Sequence, residues 1–521
     1  IRESAPRPTP QPVTLDAALA RAARGDDGLT FVNGPHDEST LSWREVEERA
    51  HRVAGGLRRA GVGPGQRVAL ILPTDPDFPV TFFGAVLAGA VPVPLYPPVR
   101  LGRLDDYHAA TAGMLAAAGA RMIVTNRRIR SLLGETVRRA RLVQGCRILD
   151  DLERGADPAP RVHARPDDLA LVQFSSGTTR TPRPVALTHA ALMAQCVALR
   201  PLLDGPEGTE HRGVSWLPLY LEMGLIGSLL GAVTFPGPLT LIPPEKFLVQ
   251  PALWLQTISR QRATISPAPP FAFAVCTRRI RDEEMEGCDL SSWRLAICGA
   301  EPIQPSVLER FGERFARWGF RARALAPAYG LAEASLAVTC TPPDEDPSFA
   351  TVDPGHLGVG AEVRPGTRPV TAVGPPVAHV DLEIRDDAGR TLPPETCGHI
   401  WVRGPTLMRE YLDQPAATAA VLRDGWLDTG DLGFVRDERL YVIGRTKDIV
   451  VIRGANHRAE EFEACLHDLA GVRPGRVAAG SILPPDADGE ELLLLVERSP
   501  HAHDVADADL AAAVARRIRE R

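Results

Sequence analysis

A stretch of hydroxyl groups, one glycine and two arginines offers the clearest chemistry in this chain. It reads Phe-Ser-Ser-Gly-Thr-Thr-Arg-Thr-Pro-Arg-Pro-Val over residues 174–185. The preceding residues 168–174 are mainly apolar, as in a buried strand, and Thr188 is placed to cap a following helix. Backbone N–H groups and hydroxyls that leave a strand together can hold phosphate oxygens. The stretch therefore predicts a phosphate-binding turn, the alternative being an ordinary polar loop. It is not a GxxxxGK[ST] loop, since no Lys-Ser or Lys-Thr follows.

The composition narrows the possible classes of protein. The chain has 521 residues, a hydrophobic content of 44% and a net charge of −6, which suggests a globular protein of about three or four structural units. The negative net charge gives no overall positive potential that would attract nucleic acid. No apolar run approaches the roughly 20 residues that a membrane span needs. The eight cysteines lack CxxC or zinc-site spacing. We interpret them as reduced thiols of a cytoplasmic protein.

Strand and helix patterns alternate along roughly the first 340 residues, which is typical of α/β layers with a largely parallel sheet. Residues 1–12 are a proline-rich leader. From about residue 341 the chain becomes rich in proline and glycine. Short alternating runs follow, such as residues 379–384 and 398–402, and predict a smaller β-barrel-like subdomain.

Further motifs occur in a fixed order between about residues 30 and 465. They are Pro94-Leu-Tyr-Pro-Pro98, Ser215-Trp-Leu-Pro-Leu219 with Met223-Gly-Leu225, Ser292-Trp-Arg-Leu-Ala-Ile-Cys-Gly-Ala-Glu-Pro302, Tyr329-Gly-Leu-Ala-Glu333, Trp426-Leu-Asp-Thr-Gly-Asp431 and Gly444-Arg-Thr-Lys-Asp448. Together with the phosphate turn, this ordered set resembles the adenylate-forming superfamily and, within it, the fatty acyl-AMP ligases.

The resemblance implies an α/β fold with a large N-terminal domain of two layered α/β subdomains and a small β-barrel. This domain would cover residues 13–446, with an insertion at about residues 335–379. A hinge and a small α+β C-terminal domain would follow over residues 447–521. The family's late lysine has no counterpart in the sequence. We therefore expect part of the small domain to be missing and adenylation by this chain to be impaired.

The resemblance also implies a reaction. A fatty acid carboxylate attacks the α-phosphorus of ATP in the presence of Mg²⁺, giving an acyl-adenylate and pyrophosphate, and the acyl group then passes to the phosphopantetheine of an acyl carrier protein. Because two anions must approach each other, the protein mainly has to place them and neutralise their charge. Such a reaction needs no enzymic nucleophile.

The matching positions give a set of predicted site residues. The catalytic residues would be Glu333, Thr178, Arg180 and Lys447, with Glu333 as the metal ligand and Lys447 at the hinge. ATP would be bound by Ser176, Gly177, Thr178, Thr179, Gly299, Ala300, Glu301, Tyr329, Asp431 and Arg445. The fatty acid would lie near Trp216, Leu221, Met223, Phe271 and Phe273.

For several of these residues, an ordinary structural role is the alternative to a role in the site. Glu333 would equally suit the start of a helix over residues 331–337, where the helix dipole favours an acid. Tyr329 and the aromatic residues assigned to the fatty acid would equally suit an ordinary core. For residues 299–302 the alternative is a plain turn at the end of a strand.

The sequence departs from the family pattern at three places. Leu221 stands where relatives carry a histidine beside the carboxylate pocket, and leucine donates no hydrogen bond. Arg183 and Pro184 replace a common Lys-Gly pair, which keeps the positive charge but removes one N–H donor. Ala332 replaces a threonine.

Two other functions remain open. The first is an acyl-CoA synthetase that uses free CoA after the same first step, and the second is a non-catalytic adenylate-binding protein. The ligase is favoured by the motifs at residues 95–98 and 179–182 and by the length of residues 335–379, which resembles the insertion of that subgroup. We also expect this extra segment to restrain rotation of the small domain. The alternative for the insertion is a tolerated surface segment.

Overall fold

The fold was analysed in a computed structural model, which describes residues 13–34, 37–98, 104–154, 157, 162–175, 182–203, 210–445, 449–452, 455–482, 491–500, 502 and 505–519. The chain divides into two compact units. The first consists of the described residues of Ile1–Pro347, Val373–Asp381 and Val402–Leu427, and the second of those of Ser348–Ala372, Leu382–Trp401 and Asp428–Arg521. The predicted boundary at residue 446 falls outside the described residues and stays a prediction.

The first unit contains most of the described helices. They are α1 (Leu15–Ala22), α2 (Trp43–Arg59), α3 (Asp77–Leu87), α4 (Leu104–Ala117), α5 (Arg127–Arg130), α6 (Gly134–Ala140), α7 (Leu149–Glu153), α8 (His189–Leu199), α9 (Gly231–Thr234), α10 (Pro244–Val249), α11 (Ala252–Gln261), α12 (Pro270–Arg279), α13 (Pro305–Phe315) and α14 (Pro415–Val421). A π-helical stretch, Met223–Leu230, leads into α9.

Two sheets of the first unit are largely parallel, as predicted. The strands up to residue 340 are β1 (Gly28–Gly34), β2 (Asp37–Ser42), β3 (Arg67–Ile71), β4 (Val91–Pro94), β5 (Ala120–Thr125), β6 (Gly145–Ile148), β7 (Leu169–Phe174), β8 (Pro184–Thr188), β9 (Gly213–Ser215), β10 (Leu239–Leu241), β11 (Ile265–Ala268), β12 (Leu295–Cys298), β13 (Leu325–Gly330) and β14 (Ala337–Cys340). Among the described residues, one sheet has the order β14-β13-β12-β11-β9-β10-β1-β2 and another the order β4-β3-β5-β6. Only the two edge strands of the first sheet, β14 and β2, run antiparallel to their neighbours.

The remaining strands follow residue 340. They are β15 (Phe349–Val352), β16 (Arg368–Thr371), β17 (Asp381–Arg385), β18 (Gly398–Arg403), β19 (Glu410–Tyr411), β20 (Leu422–Arg423), β21 (Trp426–Arg436), β22 (Arg439–Arg445), β23 (Ile449–Ile452), β24 (Ala455–Arg458), β25 (Val472–Ile482) and β26 (Glu491–Arg498). Helices α15 (Ala459–Cys465) and α16 (Asp507–Arg519) belong to the second unit. The short β19 pairs with β8, which makes a third, antiparallel sheet of β19, β8 and β7 in the first unit.

Local sequence signals set several of these elements. A capping box begins α2, because the Ser42 hydroxyl accepts a hydrogen bond from Glu45 N at 3.2 Å and the Glu45 carboxylate accepts one from Ser42 N at 2.8 Å. The predicted cap of α8 is confirmed, since Thr188 Oγ1 accepts from Ala191 N at 3.1 Å. The sequence of β3 is an almost continuous apolar run, as expected for a strand that is covered on both faces of its sheet.

Each unit has its own hydrophobic cores. In the first unit an aromatic core forms around Trp254, Trp293 and Phe311, all fully buried. In the second unit one core contains Val352 and Phe434. Six of the eight cysteines are buried and all eight are free thiols. Within the described part of the chain, no helix combines the length and apolarity that crossing a membrane requires.

Candidate active site

The predicted phosphate turn is closed by its neighbours in the chain. Residues 176–180, which carry the predicted ligands Ser176, Gly177, Thr178, Thr179 and Arg180, lie outside the described residues. On either side, β7 and β8 pair antiparallel, with Phe174 opposite Pro184. Ser175 N donates to Arg183 O at 3.0 Å, and Arg183 N donates to Ser175 Oγ at 3.3 Å. The two ends of the predicted phosphate turn are therefore held together at the tip of a hairpin.

Glu333 lies in a tight turn between β13 and β14. A 3₁₀ turn covers Ala332–Ala334, and strand β14 starts at residue 337, so the helix that we considered over residues 331–337 does not form. Gly330 allows this turn, because a Cβ atom there would lie 1.7 Å from Leu336 O. Ser335 follows with φ 66° and ψ −54°, and Leu336 N donates to Ala334 O at 2.9 Å. This is the rare γ-turn geometry that few residues other than glycine adopt.

The Glu333 side chain is partly buried and meets a tyrosine that the sequence analysis did not single out. Tyr411 Oη donates to Glu333 Oε1 at 2.7 Å, and Tyr411 is 4% exposed. The Arg183 guanidinium lies over the Tyr411 ring at 5.0 Å from its centroid. Burial, followed by the charge of Glu333, raises the pKa of Tyr411 above its usual range, so the phenol stays protonated and donates.

A second carboxylate belongs to the neighbourhood of Glu333. Burial raises the pKa of the partly buried Glu222, and the negative charge of Glu333 raises it further. Its neighbour Leu221, one of the predicted substrate residues, is 44% exposed. Met223 opens the π-helical stretch, and such irregular helical turns are frequent at functional sites.

The residues predicted to line the adenine lie at the carboxyl ends of adjacent parallel strands. Gly299 directly follows β12, and a Cβ atom there would lie 2.8 Å from Ala328 O in β13. Ala300 has φ 72°, and the Glu301 carboxylate accepts a hydrogen bond from Phe271 N at the start of α12. Tyr329 is partly buried and pairs with Thr339 across the β13–β14 ladder. Carboxyl ends of parallel strands are where α/β proteins bind nucleotides.

The predicted fatty acid residues separate into two groups. Phe273 is fully buried and packs against Trp254, Trp293 and Phe311, which gives it a core position. Trp216 stacks on Phe247 with ring centroids 3.9 Å apart and contacts Phe271 edge-on at 5.8 Å. Phe271 is 38% exposed. Among the described buried polar atoms, Trp216 Nε1 has no hydrogen-bond partner.

The predicted ribose residues come together within the second unit. Arg445 Nε lies 3.5 Å from Asp431 Oδ1, and the two residues are opposite each other in the β21–β22 ladder. Asp431 N donates to Thr429 Oγ1 at 3.2 Å, and Thr429 Oγ1 donates to Ile400 O at 2.8 Å. This fixes the backbone of the Thr-Gly-Asp turn. Lys447 lies outside the described residues.

Sequence reasoning missed Tyr411 and gave Glu222 no role. The Tyr411 contact joins residues 78 positions apart in the chain, and no spacing rule connects them. One available signal was position, since Glu222 directly follows Leu221, the departure from the family pattern.

Comparison with known proteins identifies the family. The sequence pattern of the AMP-binding enzyme family matches residues 19–412. A putative acyl-CoA synthetase of Caulobacter vibrioides is 35% identical over 96% of this chain and 87% of its own length. A long-chain-fatty-acid–AMP ligase of Mycolicibacterium smegmatis is 31% identical over 89% of this chain and 80% of its own length.

Solved structures agree with this assignment. One comes from a study of fatty acyl-adenylate ligases of E. coli and L. pneumophila, with a TM-score of 0.87, 31% identity, and coverage of 98% of this chain and 93% of that one. Another is a fatty acyl-adenylate ligase of L. pneumophila in complex with acyl adenylate and pyrophosphate, with a TM-score of 0.78, 27% identity, and coverage of 97% and 90%. The chain belongs to the AMP-binding enzyme family, and the predicted fold class is confirmed.

Proposed function

We propose that this enzyme is a fatty acyl-AMP ligase, which joins a fatty acid to the AMP portion of ATP and releases pyrophosphate. The observation that carries the proposal is the connection of Glu333 to the end of the phosphate turn through Tyr411 and Arg183. A carboxylate and a guanidinium beside the predicted phosphate turn suit a bound nucleoside triphosphate and its cation. The kinship with fatty acyl-adenylate ligases supports the same function.

In the proposed reaction, a carboxylate oxygen of the fatty acid bonds to the α-phosphorus of ATP while the bond to the β-phosphate oxygen breaks and pyrophosphate leaves. The proposed phosphate ligands are the residues of the turn at 176–180. Arg183 adds positive charge where that turn re-enters β8. Asp431 would accept hydrogen bonds from both ribose hydroxyls, which suits its two acceptor oxygens, and Arg445 would assist it.

The donor set around Glu333 fits Mg²⁺. Carboxylate oxygens are the ligands that this ion prefers, and Glu222 lies close enough to Glu333 for its pKa to respond to the Glu333 charge. Tyr411 holds Oε1 of Glu333, so Oε2 would be the oxygen that binds the cation. When bound, Mg²⁺ neutralises the phosphate charge and that of the leaving pyrophosphate.

We further propose that the acyl group passes to a carrier-protein phosphopantetheine and that the enzyme works in the cytoplasm. Free thiols such as the eight found here persist in a reducing compartment. The predicted restraint by residues 335–379 stays a proposal. This segment contributes β14, β15 and β16, and its Val352 and Val370 belong to the core of the second unit. Deleting the whole segment would remove these core residues.

The test is to incubate the protein with ATP, Mg²⁺ and radiolabelled fatty acids of several lengths, with CoA, with a phosphopantetheine-bearing carrier protein, or with neither. Acyl-AMP without CoA, and transfer to the carrier protein alone, supports the ligase. Acyl-CoA would favour the synthetase, the kind of enzyme that the C. vibrioides relative is named for. Binding of a non-hydrolysable acyl-adenylate by the full-length protein, without any adenylation by it, would point to a non-catalytic binding protein.

A further inference from the structure

A short segment, residues 406–412, makes two sets of contacts that no sequence motif predicted. The first set joins it to β8, the strand that leaves the phosphate turn. Arg409 N donates to Ala186 O at 3.0 Å, and Leu412 N donates to Pro184 O at 2.8 Å. Between these bonds, Tyr411 lies opposite Val185 in an antiparallel ladder. The segment is therefore a third strand beside the hairpin that carries the phosphate turn.

The second set joins the same segment to the turn of Glu333. Ser335 Oγ donates to Thr406 O at 2.6 Å, and Met408 N donates to Glu333 O at 2.7 Å. Tyr411 Oη donates to Glu333 Oε1 at 2.7 Å. Thr406 and Tyr411 are 1% and 4% exposed. Three hydrogen bonds thus fix both the backbone and the carboxylate of the Glu333 turn.

The turn needs such fixing because its geometry is unfavourable. Ser335 is held in a γ-turn with positive φ, and non-glycine residues keep such conformations only where the surroundings over-determine them. The Ser335 hydroxyl is buried and directed at the segment. Without the segment, the turn would relax and the Glu333 carboxylate would lose its orientation.

Tyr411 connects the two sets of contacts through one side chain. Its hydroxyl contacts Glu333, and its ring face lies 5.0 Å from the Arg183 guanidinium. A guanidinium over an aromatic ring is attracted by the electron-rich face. The ring therefore anchors the residue that closes the phosphate turn, while the hydroxyl orients the carboxylate.

We propose that residues 406–412 act as a brace that sets the distance between the Glu333 carboxylate and Arg183 beside β8, and that Tyr411 is a positioning residue for Glu333. This inference rests on the proposed function, in which Glu333 binds Mg²⁺. It goes beyond it by assigning a role in Mg²⁺ affinity to a residue outside the proposed ligands of the metal and the phosphates.

The test uses Tyr411→Phe, which removes the hydroxyl but keeps the ring beneath Arg183. With Mn²⁺ as a paramagnetic probe and a non-hydrolysable ATP analogue present, we expect cation affinity to fall about tenfold, the loss of one hydrogen bond to a charged group. In activity assays the Mg²⁺ concentration for half-maximal rate should rise, while the rate at saturating Mg²⁺ largely recovers. The matched control is Tyr441→Phe, which also removes a tyrosine hydroxyl contact, 3.1 Å to Ser348 Oγ, and should leave the affinity unchanged.

Glu333→Gln and the double variant separate this inference from the proposed function. If Glu333→Gln binds Mn²⁺ as tightly as the wild type, the metal role of Glu333 and the proposed site are wrong. If Glu333→Gln loses the cation but Tyr411→Phe does not, only the positioning role is overturned. In the expected case the two losses are not additive, because Tyr411 acts through Glu333.

Discussion

At the scale of single residues, Glu333 is the side chain on which the proposed chemistry depends most directly. Glu333→Ala should lower acyl-adenylate formation by about 10²-fold or more, the cost of removing one charge-stabilising group. The protein should stay folded but lose about 1–3 kcal/mol of stability, because the buried Tyr411 hydroxyl loses its Glu333 acceptor. The measurement is pyrophosphate release, with Glu309→Ala on the exposed face of α13 as the control. Wild-type turnover of Glu333→Ala at saturating Mg²⁺ would refute the assignment.

A second residue, His189, ties stability to pH. Its ring is 4% exposed, and its Nδ1 accepts a hydrogen bond from Leu15 N at 3.1 Å. Burial lowers the pKa of His189 from 6.5 to about 4. As the pH falls below 6.5, His189 becomes protonated in the unfolded chain but stays neutral in the native state. The free energy of unfolding therefore declines between pH 6.5 and pH 4.

The expected loss from this group approaches about 3 kcal/mol near pH 4. Urea midpoints at pH 7.5 and pH 5 should therefore differ more for the wild type than for His189→Gln, whose side chain does not titrate. An equal shift for both proteins would show that other groups cause the pH dependence.

At the scale of elements, the turn between β13 and β14 depends on a glycine. Gly330→Ala would place a Cβ atom 1.7 Å from a backbone oxygen, so the turn must shift and the Glu333 carboxylate with it. We expect a loss of stability of about 1–3 kcal/mol and a higher Mg²⁺ requirement, measured by thermal unfolding and by titration of activity with Mg²⁺. Gly63→Ala is the control, because nothing lies within 4 Å of its added Cβ. Identical behaviour of the two variants would show that the turn tolerates a side chain.

Elements with local signals were the ones that the sequence could predict. The cap at Thr188 and the apolar run of β7 depend on neighbouring residues, and the structure confirms both. The turn at Glu333 could not be predicted, because its conformation depends on the close packing of Gly330 against Leu336 O and on hydrogen bonds with residues 406–411. Residues 335–379 were interpreted as an insertion from their length, and length does not predict the strands and core side chains that they contribute.

At the scale of the whole molecule, separate hydrophobic cores predict separate unfolding. We expect a calorimetric scan to contain more than one transition, because the two units have cores of their own. Val352→Ala, in the core of the second unit, should lower one transition, and Val68→Ala, in the first unit, should lower another. Each substitution should cost about 2 kcal/mol. An equal shift of a single common transition by both variants would contradict this expectation.

The pairing of β1 with β10 has a consequence for synthesis of the chain. Leu29 lies beside Leu239 in a parallel ladder. About 210 further residues must therefore be synthesised after β1 before its partner strand β10 exists. Ribosomes add about 5–20 residues per second, so the delay between the synthesis of β1 and that of β10 is roughly 10–40 s. Meanwhile β2 can pair with the other edge of β1 as a hairpin, leaving one apolar edge open to foreign strands. The nascent chain is therefore exposed to aggregation through this edge before the residues of the proposed nucleotide site have all been made.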